Sequence, residues 1–522
     1  MTPADYYNDF AQEESQKILK IVWKMNFRMN INNFAYPSKS LSQRAVISGF
    51  WAFLLRTVKQ LFSLLRLVIL ARILAPQDFG LMGVALLSMA TLETFSQTGV
   101  QQALIQKKCE IKSYLDSVWT VLILRSFILF TILYLIAPFA ATFFDAPDAK
   151  PIIQVIGLSV IFQAFTNIGV IYFQKELEFN KQFVYQLSGT LTDFFVAVIA
   201  ALILKNVWAI VFGLLAGNAA MLITSYLIHP YRPHLSFDIG KARELFGYGK
   251  WILGSSILVF LTTQGDDIFA GKLLGTTALG LYQMAYLISN LPATEITHVI
   301  SQVMFPAYSK IQDDIPKLRE TYLKVLQLTA FISFPITSLI FALAPDFTMI
   351  FLGKKWMPMV PTIQILVFAG LVRSIAATSG PIFYAVGKPR IETKWQMVRL
   401  FVMAVLIYPF TIKWKILGTS MVIFLSIFIS TIGFYSEAAR IIKMNIKYVT
   451  KCMIVPSVNG IIMTFLIIIL KSYSNIIGIL HLILLLIISL SIYLIMTYLF
   501  DEFLDNRMKS IVRESLNCFK KS

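Results

Sequence analysis

Between positions 46 and 499 the chain alternates short polar loops with apolar stretches of roughly 20 residues, the length at which a helix crosses the ~30 Å hydrocarbon layer of a bilayer. About fourteen such stretches can be marked, which predicts an all-α integral membrane protein. Lys and Arg gather in alternate loops and at both ends of the chain. An even number of crossings with both termini on the cytoplasmic side satisfies that bias. The predicted division is an amino-terminal extension over 1–45, six helices over 46–229, and a linker with an amphipathic helix over 230–250. Six more helices follow over 251–438, then two over 448–499, and a cytoplasmic tail over 500–522. The loops expected outside are all short, too short for the extracytoplasmic domain of a sugar polymerase or glycosyltransferase.

The pattern also repeats. Ala71-Arg72-Ile73-Leu74 and Phe79-Gly80-Leu81 reappear as Gly271-Lys272-Leu273-Leu274 and Leu279-Gly280-Leu281, a constant offset of 200 positions. In each copy a basic residue precedes a tight turn, and a glycine opens the next helix. An even number of helices separates the copies, so the two six-helix lobes share an orientation and are related by a parallel pseudo-two-fold along the membrane normal. Repeats of this kind enclose a central cavity that opens to each side in turn.

Composition sharpens this picture. The chain is 57% hydrophobic and 14% charged, with a mean hydropathy of +0.70, whereas soluble domains are about 25% charged. A net charge of +18 in a nucleic-acid binder would cluster on one folded face. Here it is dispersed through loops, so no nucleic acid is expected. Cys109, Cys452 and Cys518 stand far apart, and His229, His234, His298 and His481 lack metal-ligand spacing. No phosphate-binding GxxxxGK[ST] occurs, so neither a metal, a cofactor nor ATP-driven pumping is expected. Residues 1–45 are polar and basic without the apolar core of a signal peptide, and Ile18, Ile21, Val22 and Met25 share one face of a short predicted helix.

Charges within the apolar stretches carry the functional signal. Arg56, Lys59, Ser63 and Arg66 recur at spacings of three, four and three, which confines them to one face of the first helix. Against lipid each cation would cost up to about 3 kcal/mol, so this face is expected to look into protein or water. Arg125 and Arg373 extend the set, giving a candidate cationic substrate cavity that suits an anionic passenger. Glu93, Gln97, Asp266, Asp267, Glu295 and His298 form the candidate polar wall. The acids and the Glu295–His298 pair are the expected site of coupling to H⁺ or Na⁺.

Several segments resemble the Wzx-type polysaccharide exporters, members of the multidrug/oligosaccharidyl-lipid/polysaccharide flippase superfamily, and within them a WzxC-like branch. They are the stretch from Leu70 to Lys108, including Gly99-Val100-Gln101-Gln102-Ala103-Leu104-Ile105-Gln106, then Gln174-Lys175-Glu176-Leu177-Glu178-Phe179-Asn180, Phe305-Pro306-Ala307-Tyr308-Ser309-Lys310, Gly353-Lys354-Lys355-Trp356 and Gly370-Leu371-Val372-Arg373-Ser374. The resemblance implies two six-helix lobes plus two additional helices. It also implies a flippase for an undecaprenyl-diphosphate-linked oligosaccharide used in exopolysaccharide, O-antigen or capsule synthesis, located in the bacterial cytoplasmic membrane and performing no bond-making chemistry. A polysaccharide polymerase and a chain-length regulator are the expected partners. Three other functions compete: a multidrug or small-molecule cation antiporter, a peptidoglycan lipid-precursor flippase, and a membrane sugar polymerase. The basic first helix disfavours the antiporter and the short outer loops disfavour the polymerase.

Overall fold

A computed structural model describes residues 41–97, 104, 111–236, 238–445, 447–473 and 478–504. The extension before residue 41, with its predicted helix, and the tail from 505 onward lie outside the described residues. Helix α1 (Leu41–Ile73) is followed by α2 (Pro76–Phe95), α3 (Lys112–Phe143), a broken segment of α4 (Ala149–Ile156), α5 (Leu158–Phe165) and α6 (Ile171–Lys175), then α7 (Phe179–Leu204) and α8 (Trp208–Ile228). The second half contains α9 (Ile239–Lys310), α10 (Ile315–Phe347), α11 (Val360–Ala376), α12 (Gly380–Ala385) and α13 (Arg390–Ile441). Helices α14 (Lys447–Tyr473) and α15 (Ile479–Leu504) complete the described chain and pack on α10.

Two of these helices are hairpins. Gly275 interrupts α9 with φ +82°, and the Tyr282 hydroxyl donates to the Asp266 carboxylate at 2.5 Å. In a straight helix those residues would stand about 24 Å apart, so the two arms of α9 run back along each other. Lys415 (φ 53°) breaks α13 in the same way, and Thr411 and Thr419 meet across the bend at 3.0 Å. Nine helices among the described residues are long and apolar enough to cross a membrane, or ten if the α4–α6 segment, bent by 70°, counts as one. The expected fourteen crossings are not reached on that measure. The difference has identifiable sources: α13 counts once although it doubles back, and α1 and the doubled α9, each carrying several charged residues, are not among the helices that qualify.

The outer surface bears a belt of exposed apolar side chains. Phe139, Ile203, Phe401 and Phe465 are 74%, 74%, 69% and 63% exposed, and a surface so extensively apolar requires lipid around it. The chain is therefore a multi-pass membrane protein with an all-helical fold.

The repeat is visible as a reciprocal contact. A Cβ placed on Gly80 would fall onto the Thr276 carbonyl, and one on Gly280 would fall onto the Pro76 carbonyl. Residue 80 thus meets 276, and 280 meets 76, as an isologous pairing about a two-fold demands. At this crossing α2 packs on the second arm of α9 with glycine where backbone meets backbone. Nearby, Asp78 caps two helices at once: one carboxylate oxygen accepts from the Ala75 amide at 2.8 Å and the other from the Val207 amide at 3.0 Å.

Candidate functional site

Each of the three predicted cavity cations of α1, Arg56, Lys59 and Arg66, has a partner. Arg56 pairs with Glu295 on the second arm of α9 at 2.6 Å, bridging the two halves of the molecule, and both side chains remain about a third exposed (33% and 39%). Lys59 donates to Gln186 on α7 at 3.1 Å, and Arg66 pairs with Asp193 on α7 at 3.0 Å. The predicted stripe is therefore divided. Its first member faces the other half, and the other two are held within their own half by α7.

Arg125 on α3 hydrogen-bonds to the end of α2, donating to the Ser96 carbonyl at 2.9 Å and hydroxyl at 2.8 Å and to the Glu93 carbonyl at 3.3 Å. There it satisfies carbonyls that the helix end leaves open, with the half-buried Glu93 carboxylate near its charge. Gln97, exposed just beyond α2, accepts from Ser256 on α9 at 2.5 Å, a second link between the halves. Asp266 lies deep in the second half under Tyr282, and its other oxygen has no hydrogen-bond partner. Asp267 bonds to Gln283. The side chain of His298 lies outside the described residues.

Arg373 departs from this pattern. It donates to the Tyr286 hydroxyl at 2.9 Å, stacks over that ring at 5.6 Å and borders a cavity of about 450 Å³. Arg399 of α13 borders the same cavity and donates to the Thr262 carbonyl at 3.1 Å. Sequence reading missed Arg399 because it stands near the start of an apolar stretch, where an arginine reads as a snorkelling end. Glu392 and Gln396, also on the cavity wall, were missed because they stand at the polar edge of that stretch, where such residues read as loop.

At the opposite end of the helices the halves are closed against each other by side chains that cap backbone. Arg72 donates to the carbonyls of Ile350 and Phe351, from its Nε to the latter at 2.8 Å. In return, Lys355 reaches the carbonyls of Arg72 and Leu74, and the Trp356 indole donates to the Ala71 carbonyl at 2.8 Å. Lys272 and Asp145 add an ion pair at 3.0 Å. Each half thus places cationic or N–H donors on the negative end of a helix belonging to the other.

The molecule so far is two helical halves that meet reciprocally at Gly80 and Gly280, bridged by the Arg56–Glu295 pair and fastened around Arg72 and Trp356. Residues 69–361 match the family described as Polysaccharide biosynthesis protein, more than half of the chain. The chain belongs to that family. Among its relatives, the lipopolysaccharide biosynthesis protein WzxC of Escherichia coli K12 is 27% identical over 364 residues, 69% of this chain and 74% of that one. The succinoglycan biosynthesis transport protein ExoT of Rhizobium meliloti is 22% identical over 349 residues, 67% of this chain and 71% of its own. Of solved structures, the lipid II flippase MurJ in an inward closed conformation superposes with a TM-score of 0.71 at 15% identity, covering 88% of this chain and 99% of MurJ. At that identity the likeness establishes a shared fold and nothing further.

Proposed function

We propose that this protein flips a polyprenyl-diphosphate-linked oligosaccharide across the bacterial cytoplasmic membrane, for exopolysaccharide, O-antigen or capsule synthesis, by alternating access and without chemical change to its passenger. The observation that carries the reading is the partly exposed Arg56–Glu295 pair. It joins opposite charges on two facing halves through the middle of α1, where contact with lipid would cost up to about 3 kcal/mol per charge, while the Arg72–Trp356 region fastens the halves at one end. Membership of a polysaccharide biosynthesis family and relatives named for lipopolysaccharide and succinoglycan pathways support the passenger class. In this reading fourteen crossings form two six-helix lobes and two further helices. Both termini lie in the cytoplasm, and the fastened end faces outward. Arg56, Lys59, Arg66, Arg125 and Arg373 supply positive potential to the path, and Asp266, Asp267, Glu93 and Glu295 offer acids for H⁺ or Na⁺ coupling. A polymerase and a chain-length regulator act on the delivered units.

The deciding experiment is deletion followed by complementation. Deletion should abolish surface polysaccharide and leave lipid-linked repeat units in the inner leaflet. Normal surface polymer in the deletion strain would overturn the reading, and single repeat units accumulating on the outer side would indicate a polymerase instead. Loss of viability would point to a peptidoglycan precursor as passenger. An alkaline phosphatase fusion at the carboxyl terminus should be inactive if that end is cytoplasmic.

A further inference from the structure

The cavity in the second half lies between the far end of α9, the α11–α12 corner and both arms of α13. Two guanidinium groups border it, Arg373 and Arg399, and among the described residues neither forms an ion pair. Each commits one terminal nitrogen to the protein, to Tyr286 and to the Thr262 carbonyl, while the Nε of each is shielded and without a hydrogen-bond partner. The two like charges repel each other, and although the buried Asp266 carboxylate lies near Arg399 and Glu392 stands on the same wall, neither is within ion-pair distance of a guanidinium, so an anion entering the cavity would relieve that repulsion. That makes the cavity a receptor for negative charge.

The rest of the wall narrows the class of anion. Glu392, bonded by the Tyr384 hydroxyl, has one carboxylate oxygen free of protein partners, and Gln396 stands one turn further along α13. Phe305 and Phe434 supply aromatic faces. A carboxylate and an amide suit vicinal hydroxyls, aromatic faces suit the C–H side of a sugar ring, and paired guanidinium groups suit an oxyanion. The charged side chains on the wall leave one net positive charge, which matches a monoanion. A diphosphate would set its greater negative charge against Glu392.

We propose that this chamber binds an acidic sugar unit of the passenger, with Arg373 and Arg399 holding the sugar carboxylate and Glu392 and Gln396 its ring hydroxyls. The proposal rests on the flippase reading above and adds which part of the passenger is recognised and where. The chamber is lined by residues of one half only, at the end of α9 remote from Gly275, and its wall begins at Thr297, two positions beyond Glu295 of the bridge.

The test uses the full chain in lipid nanodiscs, titrated calorimetrically with methyl glucuronide, methyl glucoside and inorganic pyrophosphate. Methyl glucuronide should bind at least about tenfold more tightly than methyl glucoside, and R373Q should remove that preference, the loss expected for a charge-assisted bond. E392Q should weaken both sugars together. R399Q is the sharper variant but sits among buried groups. R373Q and E392Q therefore keep the test decisive if R399Q does not fold. Equal affinity for the two sugars would overturn the proposal, as would pyrophosphate binding more tightly than glucuronide in an Arg373-dependent way. Absence of glucuronide binding, together with export lost on deletion, would sink the chamber and leave the flippase reading intact. Glucuronide binding with normal export in the deletion strain would do the reverse.

Discussion

At the residue scale, the Arg56–Glu295 pair separates stability from transport. Both partners are about a third exposed, so the pair contributes only about 0.2–1 kcal/mol to folding. R56Q and E295Q should therefore melt within a few degrees of the parent in detergent, yet each should cut surface polysaccharide at least severalfold. Exchanging the two residues should restore part of the output, and a double exchange as inactive as the singles would show that the attraction itself is not what matters. The presence of these charges was legible from their spacing on α1, but their partners were not. Asp193 and Gln186 lie more than a hundred positions away on α7, a distance that periodicity along one helix cannot span.

His229, just beyond α8, gives a pH signature. Its ring stacks on Tyr172 with 5.8 Å between centroids, and its Nδ1 accepts from the Tyr231 amide at 3.1 Å. Burial, and then the charge of Lys181 and Arg232, push its pKa below the ordinary histidine value, with Glu178 opposing. The folded state therefore holds His229 neutral. The associated stability is present above the unfolded pKa of about 6.5 and is lost as pH falls through the lower folded value. Melting temperature should decline on acidification below about pH 6.5, and less steeply in H229Q. Parallel declines in the two proteins would remove His229 as the cause.

Among the elements, the crossing of α2 with the second arm of α9 makes a symmetric demand. Gly80→Ala and Gly280→Ala each drive a methyl group into a backbone carbonyl rather than a movable side chain, so both should destabilise by about 1–3 kcal/mol or more. The two should do so to a similar extent, as read by thermal unfolding in detergent. Gly49→Ala, with nothing within 4 Å of its added carbon, is the neutral control. The glycines were readable because the repeat places them in register, and hydropathy alone located most of the helices. The bends were harder. Lys415 adopts a left-handed φ that its residue type does not announce, and the break at Asn167 depends on a side-chain cap to the Gly169 amide and on a bond from its own amide to Ser225 on α8, a contact made only in the folded protein.

On the scale of the whole molecule, the fastening around Arg72, Lys355 and Trp356 should set how easily the two halves part. Replacing Lys355 with Met and Trp356 with Phe removes the donors aimed at α1. In a protein whose native cysteines are changed to Ser and the fully buried Ala71 to Cys, this pair of changes should raise labelling by an impermeant maleimide severalfold. Unchanged labelling would mean that the halves are held together elsewhere. The reciprocal meeting of Gly80 and Gly280 was legible from the offset repeat, whereas this fastening was not, because its acceptors are main-chain carbonyls and leave no mark in the sequence.

Carbonyl acceptors also make such a joint tolerant of being undone. When the halves draw apart, each exposed helix end can exchange an arginine, lysine or indole for a water molecule at nearly equal strength, and no buried carboxylate is left stranded without its counter-charge. Release can then proceed one donor at a time, like a row of hooks rather than a bolt, so that neither the shut nor the parted arrangement becomes a trap.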